Sequence, residues 1–260
     1  MRLDQALVQV GLVSTRSQAL QHIRFGHVTY KGEKVTKPSL KVSSLDDLQL
    51  NSKVYVGRGA QKLLKALESF SFAIEGRIAA DVGASTGGFT QVLLNYGVQK
   101  VYAIDVGHGQ LAKDLESDER VINLEGHHIN EFANAERELP EKVDLLVADL
   151  SFISLSHCLD GMKGLMKSGA EIITLVKPQF EVGKEFVGKG GIVKDPDKHF
   201  QCLRKLSEEF ASRGFHLYSA DVSPITGKAG NREYLFYLQL LGAFGEVRLS
   251  DQDLRSLTHK

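Results

Sequence analysis

An apolar strand that runs directly into a glycine-rich turn and then into a helix leaves few folds open. Residues 78–90 read in that way. Ile78-Ala79-Ala80-Asp81-Val82 has the character of a buried strand, Gly83 to Gly88 forms the turn, and a helix begins near Phe89. Six further apolar runs follow at 101–105, 121–124, 143–149, 172–177, 215–221 and 234–240, separated by helical stretches. An amphipathic segment at 58–70, carrying Leu63, Leu64, Leu67 and Phe70, precedes them. Strand–helix alternation at this spacing predicts an α/β domain with a parallel, doubly wound sheet.

The turn narrows the ligand. A dinucleotide site calls for Gly-x-Gly-x-x-Gly, whereas Gly83-Ala84-Ser85-Thr86-Gly87-Gly88 lacks the middle glycine. Asp105 ends the next strand, where a carboxylate accepts both ribose hydroxyls of an adenosine cofactor. That suits S-adenosylmethionine and NAD equally. Asp81 separates the two, because an acid beside the loop repels a pyrophosphate but attracts a methionine ammonium through water.

The first 58 residues differ in charge from the rest. They hold nine basic side chains against four acidic ones, a net of +5 in a chain whose formal total is zero. Such asymmetry points to a phosphate-seeking module. A short helix is expected at 3–10, and a second opening at Thr15, where Thr15 and Gln18 have capping-box spacing and Gly26 provides the stop. A hairpin is expected to turn at Lys31-Gly32-Glu33, with Val35 and Val42 on returning strands. Arg16, Gln21, Arg24, Lys31, Lys34 and Lys37 could form one phosphate-binding face. The expected organisation is a small basic domain at 1–52, a linker at 53–57, the α/β domain at 58–245 and a polar, peripheral tail at 246–260. No stretch has the roughly 18 apolar residues of a membrane span, and Met1-Arg2-Leu3-Asp4-Gln5 does not begin a secretory signal. Cys158 and Cys202 form neither a metal pattern nor a disulfide framework, so a cytoplasmic protein with reduced thiols and no metal is expected.

Several motifs carry a resemblance. Asp81-Val82-Gly83-Ala84-Ser85-Thr86-Gly87-Gly88-Phe89-Thr90, Ala148-Asp149-Leu150-Ser151-Phe152-Ile153-Ser154, Lys177-Pro178-Gln179-Phe180-Glu181 and Gly230-Asn231-Arg232-Glu233-Tyr234 resemble the TlyA proteins. So does the N-terminal module, which is similar to the small RNA-binding fold of a ribosomal small-subunit protein. The resemblance covers nearly the whole chain. It implies a Rossmann-like, FtsJ-like domain with a mostly parallel seven-stranded sheet, behind a small α/β RNA-binding domain. The implied activity is S-adenosylmethionine-dependent methylation of a cytidine 2′-hydroxyl in ribosomal RNA, with ribosomal RNA or ribosomal subunits as partner. The family's Lys-Asp-Lys-Glu tetrad falls on Lys62, Asp149, Lys177 and Glu233. Cofactor contacts fall on Asp81, Gly83, Ala84, Ser85, Thr86, Gly87, Gly88, Phe89, Thr90, Asp105, Asp149 and, beside the adenine, His128. Family members tend to carry tyrosine where His108 stands, tryptophan where Lys113 stands, and Glu-x-Thr-Asn-x-Arg where this chain reads Glu125-Gly126-His127-His128-Ile129-Asn130, which leaves the adenine side least defined. A shorter N-terminus in this family goes with large-subunit RNA, and the start of this chain leans the expectation that way.

Transfer to a ribose hydroxyl needs in-line alignment and removal of a proton from a weak acid. A lysine serves as base once burial or a second cation lowers its pKa from about 10.4. Lys177 is the expected base, Lys62 the neighbouring cation, Asp149 the group that orients Lys177, and Glu233 the residue that holds Lys62 or the sugar. By its spacing alone, Lys62 reads as part of a solvated stripe with Arg58 and Lys65, and Glu233 as a surface residue. Cys158 and Cys202 lie in expected helices away from the strand ends, which argues against a cysteine adduct. The basic loop 188–194 reads as a lid or as plain surface. Two other functions stay open: a catalytically silent ribosome-assembly factor, and the membrane-lytic haemolysin of the family's historical label.

Overall fold

The computed structural model describes residues 1–260 except 14, 25, 52–54, 134–136, 243 and 260, together with the side chains of 17, 21 and 24. The chain divides into two compact units, Met1–Arg58 and Gly59–Lys260. The boundary expected at 51–53 and the start of the expected linker fall partly outside the described residues.

The first unit contains α1 (Leu3–Gln9), α2 (Arg16–Arg24), β1 (Val28–Tyr30), β2 (Glu33–Val35) and β3 (Leu48–Leu50). The three strands form an antiparallel sheet in the order β2-β1-β3. The capping box forms as the sequence predicts: Gln18 N donates to Thr15 Oγ1 at 3.2 Å, and Thr15 N donates to Gln18 Oε1 at 3.2 Å. Gly26 ends the helix at φ +68°. Lys31 and Gly32 both have positive φ, the geometry of a tight hairpin turn. Val42 lies outside the strands. It is buried in the core with Leu3, Leu7, Ile23 and Val28, and its N–H donates to Met1 O.

The second unit contains α3 (Ala60–Ser69), β4 (Ile78–Val82), α4 (Gly88–Asn95), β5 (Lys100–Asp105), α5 (Lys113–Glu116), β6 (Val121–Glu125), β7 (Val143–Ala148), α6 (Leu159–Leu165), β8 (Met166–Val176), α7 (Pro178–Glu181), α8 (Pro196–Ser212), β9 (Phe215–Val222), β10 (Tyr234–Leu240) and α9 (Asp251–Thr258). Its seven strands are ordered β6-β5-β4-β7-β8-β10-β9. All run parallel except β10, which pairs antiparallel with both β8 and β9. Central strands such as β4 are buried along their full length and therefore read as continuous apolar runs.

The C-terminal segment departs from the expectation of a peripheral tail. Although polar in composition, it forms α9, whose Leu254 and Leu257 are buried in the core with Phe200 and Leu203 of α8. Ser250 caps this helix through a capping box with Asp253. Two leucines three apart are enough to give a short helix a buried face.

Candidate active site

The topology brings the chemistry to one edge of the sheet. Asp81 lies in β4, Asp105 ends β5, Asp149 follows β7 and Lys177 follows β8, so four parallel strands deliver them to their C-terminal edge. The reversed strand β10 presents its beginning there instead. Tyr234 pairs with Val176, which puts Glu233 and Lys177 just beyond the paired residues. Lys62 is supplied by the first turn of α3.

The side chains of Glu233, Lys62, Asp149 and Lys177 form one continuous chain of contacts. Lys62 Nζ lies 2.7 Å from Glu233 Oε2 and 3.0 Å from Asp149 Oδ2. Lys177 Nζ lies 2.7 Å from Asp149 Oδ1 and donates to Ser151 Oγ at 2.7 Å. Side-chain exposure is 7% for Lys62, 8% for Lys177 and 3% for Glu233. Both residues that spacing alone would place at the surface are thus buried. Burial opposes the charge on Lys62, but Asp149 and Glu233 outweigh it and hold its ammonium above the ordinary lysine range. Burial likewise opposes the charge on Asp149, and Lys177 and Lys62 overcome it, so its carboxyl stays below the usual range. Two cations and two carboxylates balance, as buried charges must. Gln61, adjacent in sequence to Lys62, and Gln179, two residues after Lys177, each bury a side-chain carbonyl oxygen with no donor among the described residues.

The glycine turn needs backbone that other residues rarely adopt. Gly83 has φ +84°, and a Cβ there would meet Asp149 O at 2.9 Å. Gly87, at φ +90°, leads into α4, and a Cβ would strike Leu111 and Leu115. Asp81 is buried, and its Oδ2 accepts from Thr90 N at 2.8 Å and from Thr90 Oγ1 at 2.7 Å, so it anchors the first turn of α4. Burial lifts its pKa to about 7 against the pull of Thr90, with Asp149 and Asp105 adding to the rise. Asp105 accepts Ser85 N and Gly107 N, both at 2.8 Å, one on each oxygen. A carboxylate oxygen has a second lone pair, so both remain able to accept a ribose hydroxyl.

On the adenine side, His128 caps the short turn Ile129–Phe132: its Nδ1 accepts from Asn130 N at 3.2 Å, and its own N–H donates to Glu131 Oε1 at 2.7 Å. His108 lies close against Gly126. Glu125 accepts the backbone N–H groups of Gly109, Gln110 and Leu111 at 2.7, 2.6 and 2.9 Å, and so fixes the loop after β5. Neither this clamp nor the Ser151 contact to Lys177 could be foreseen, since both depend on loops meeting across the sheet edge. Phe152 also escaped the sequence reading. Its backbone has φ +66°, its ring is 90% exposed, and it packs against Phe180 with centroids 5.2 Å apart.

In the first unit Arg16, Lys31, Lys34 and Lys37 are exposed. Arg16 Nε donates to Asp4 at 2.7 Å, so part of its charge is already answered. Lys34 lies directly over Gly26, next to the end of α2. The side chains of Gln21 and Arg24 are outside the described residues.

Asp105 and Asp149 at this edge, with Asp81 in the strand before the glycine turn, suit a cofactor with a cationic methionine end and a ribose. Fold and site together are those of an S-adenosylmethionine-dependent methyltransferase. The FtsJ-like methyltransferase family model matches residues 55–240, and the S4 domain model matches residues 1–48. The chain is 43% identical over 245 residues to the 16S/23S rRNA (cytidine-2'-O)-methyltransferase TlyA of Mycobacterium tuberculosis, covering 92% of this chain and 89% of that one. It is 38% identical over 191 residues to the 23S rRNA (cytidine-2'-O)-methyltransferase TlyA of Campylobacter jejuni, covering 73% of each. A solved structure from Streptococcus thermophilus bearing the hemolysin label superposes with a TM-score of 0.74 at 35% identity, covering 100% of this chain and 94% of that one. The chain belongs to the TlyA family of FtsJ-like methyltransferases.

Proposed function

We propose that this protein methylates the 2′-hydroxyl of a cytidine in ribosomal RNA, with Lys62, Asp149, Lys177 and Glu233 as its catalytic side chains. The observation that carries the reading is the buried chain Glu233–Lys62–Asp149–Lys177 on the same sheet edge as the glycine turn. Asp81, residues 83–90, Asp105, Asp149 and His128 hold the cofactor, which supplies an already activated methyl group when bound. The protein's remaining tasks are to align the hydroxyl and remove its proton.

Lys177 is the base. Lys62, kept charged by two carboxylates, is the neighbouring cation, joined to Lys177 through Asp149. Asp149 touches both lysines and fixes their separation, and Glu233 keeps Lys62 in place. The basic first domain, residues 1–52, binds RNA through phosphate contacts from Arg16, Gln21, Arg24, Lys31, Lys34 and Lys37, and the target nucleotide turns out of its stack to reach the sheet edge. The protein acts wherever ribosomal subunits assemble, the cytoplasm. Among the described residues no helix is long and apolar enough to cross a membrane.

The test is transfer of labelled methyl from S-adenosylmethionine to isolated small and large ribosomal subunits, followed by mapping of the modified nucleotide. Label on a cytidine ribose is expected. Lys177→Ala should lower kcat by about 10²–10⁴-fold while cofactor and subunit binding persist. Full activity of that variant would remove Lys177 as the base, and failure of the unaltered protein to label either subunit would overturn the whole reading.

A further inference from the structure

Two hydrogen-bonded legs tie the loop 188–193 to the residues on either side of Glu233. On one leg, Val193 N donates to Asn231 Oδ1 at 3.0 Å, and Asn231 Nδ2 donates to Gly191 O at 2.7 Å. On the other, His199 Nε2 lies 2.9 Å from Val193 O, and His199 Nδ1 lies 2.8 Å from Tyr234 Oη. A carbonyl oxygen only accepts, so Nε2 carries the hydrogen and Nδ1 accepts from the tyrosine hydroxyl. Asn231, His199, Tyr234 and Val193 are all buried. Asn231 lies two residues before Glu233 and Tyr234 one residue after it. Both the N–H and the C=O of Val193 are therefore fixed to the segment that carries Glu233, itself 2.7 Å from Lys62.

Beyond this clasp the loop is exposed. Its tip, Lys189-Gly190-Gly191, has left-handed backbone at both glycines and is closed by Gly188 N donating to Ile192 O at 2.9 Å. We infer that His199 is a positioning residue for methyl transfer: with Asn231 it holds the 188–193 loop and Glu233 in one fixed arrangement, so that the loop is a braced strap and not a free lid. His199 touches no member of the proposed tetrad and acts through Val193 and Tyr234. The inference rests on the reading of Lys62 and Glu233 as catalytic.

Two readouts on the full-length protein test it. One is the rate at which trypsin cuts the native protein at Lys189 and Lys194, which reports opening of the loop. The other is kcat, with separate KM values for subunits and for S-adenosylmethionine. His199→Leu removes both hydrogen bonds and should speed cutting about tenfold and lower kcat about tenfold, each the effect of roughly 1.4 kcal/mol, with KM for the cofactor unchanged. His199→Gln keeps an N–H aimed at Val193 O and should restore most of both. Tyr234→Phe, which removes one hydroxyl and keeps the ring, should move both readouts the same way by less. Unchanged cutting in His199→Leu, or a loss of kcat that His199→Gln does not restore, would overturn the inference. Should the unaltered protein prove inactive, the proposed function fails while the cutting rates still report on the clasp.

Discussion

Phe152 holds a left-handed backbone that costs a bulky residue on the order of 1–3 kcal/mol, and it gains almost no burial in return. It follows Ser151, which touches Lys177, and its exposed ring packs on Phe180, three residues after the proposed base. An aromatic face there suits an unstacked base, and such stacking is worth about 1–3 kcal/mol. Phe152→Ala should therefore lower kcat/KM for ribosomal RNA by roughly 5–150-fold and leave cofactor affinity intact, as steady-state kinetics and calorimetry would read. Asp81 makes a prediction in pH. Its folded pKa, about 7, lies above the ordinary carboxylate value, so the unliganded fold favours the protonated acid. Stability from this group falls as pH rises from the ordinary carboxylate range through about 7. A cation bound nearby favours the ionised form, so S-adenosylmethionine should bind more tightly at pH 8 than at pH 6. Asp81→Asn should flatten that dependence in a calorimetric titration. Asp149 and Lys177 could be singled out from sequence because strand ends on this edge are where α/β ligands bind. Lys62 and Glu233 could not be distinguished by pattern from solvated residues. Their burial comes from partners 87 and 171 positions away, and only motif resemblance picked them out.

At the scale of elements, structure is legible in the sequence where its signal is local. The Thr15–Gln18 capping box, the Gly26 stop and the Lys31-Gly32 turn each form from neighbours in sequence. The strands of the second unit were visible as apolar runs because both faces of the sheet are covered. The C-terminal helix is not legible in the sequence, since eight residues with two apolar anchors scarcely differ from a polar tail. That helix supports the site indirectly: Arg232, next to Glu233, donates to Thr258 O at 3.0 Å. Leu257→Ala should destabilise the second unit by about 2–5 kcal/mol, measured by denaturant unfolding.

For the whole molecule, charge is divided between the two units in a way the zero total conceals. If the first unit supplies phosphate contacts, replacing Lys31, Lys34 and Lys37 together with alanine should raise KM for ribosomal subunits and leave kcat at saturation unchanged. The slope of log affinity against log salt should shrink by about 2–3. An unchanged salt slope would remove these three lysines from the interface. The reversed strand β10 has a consequence for how the protein is made. It is the last strand in the chain, yet it lies between β8 and β9 and brings Glu233 to the edge where Lys62 has been waiting since early in synthesis. Until about 240 residues have left the ribosome, Lys62 lacks one of its two carboxylates and β9 has no neighbour to pair with. A nascent chain thus carries an incomplete set of four contacts until its last strand has paired.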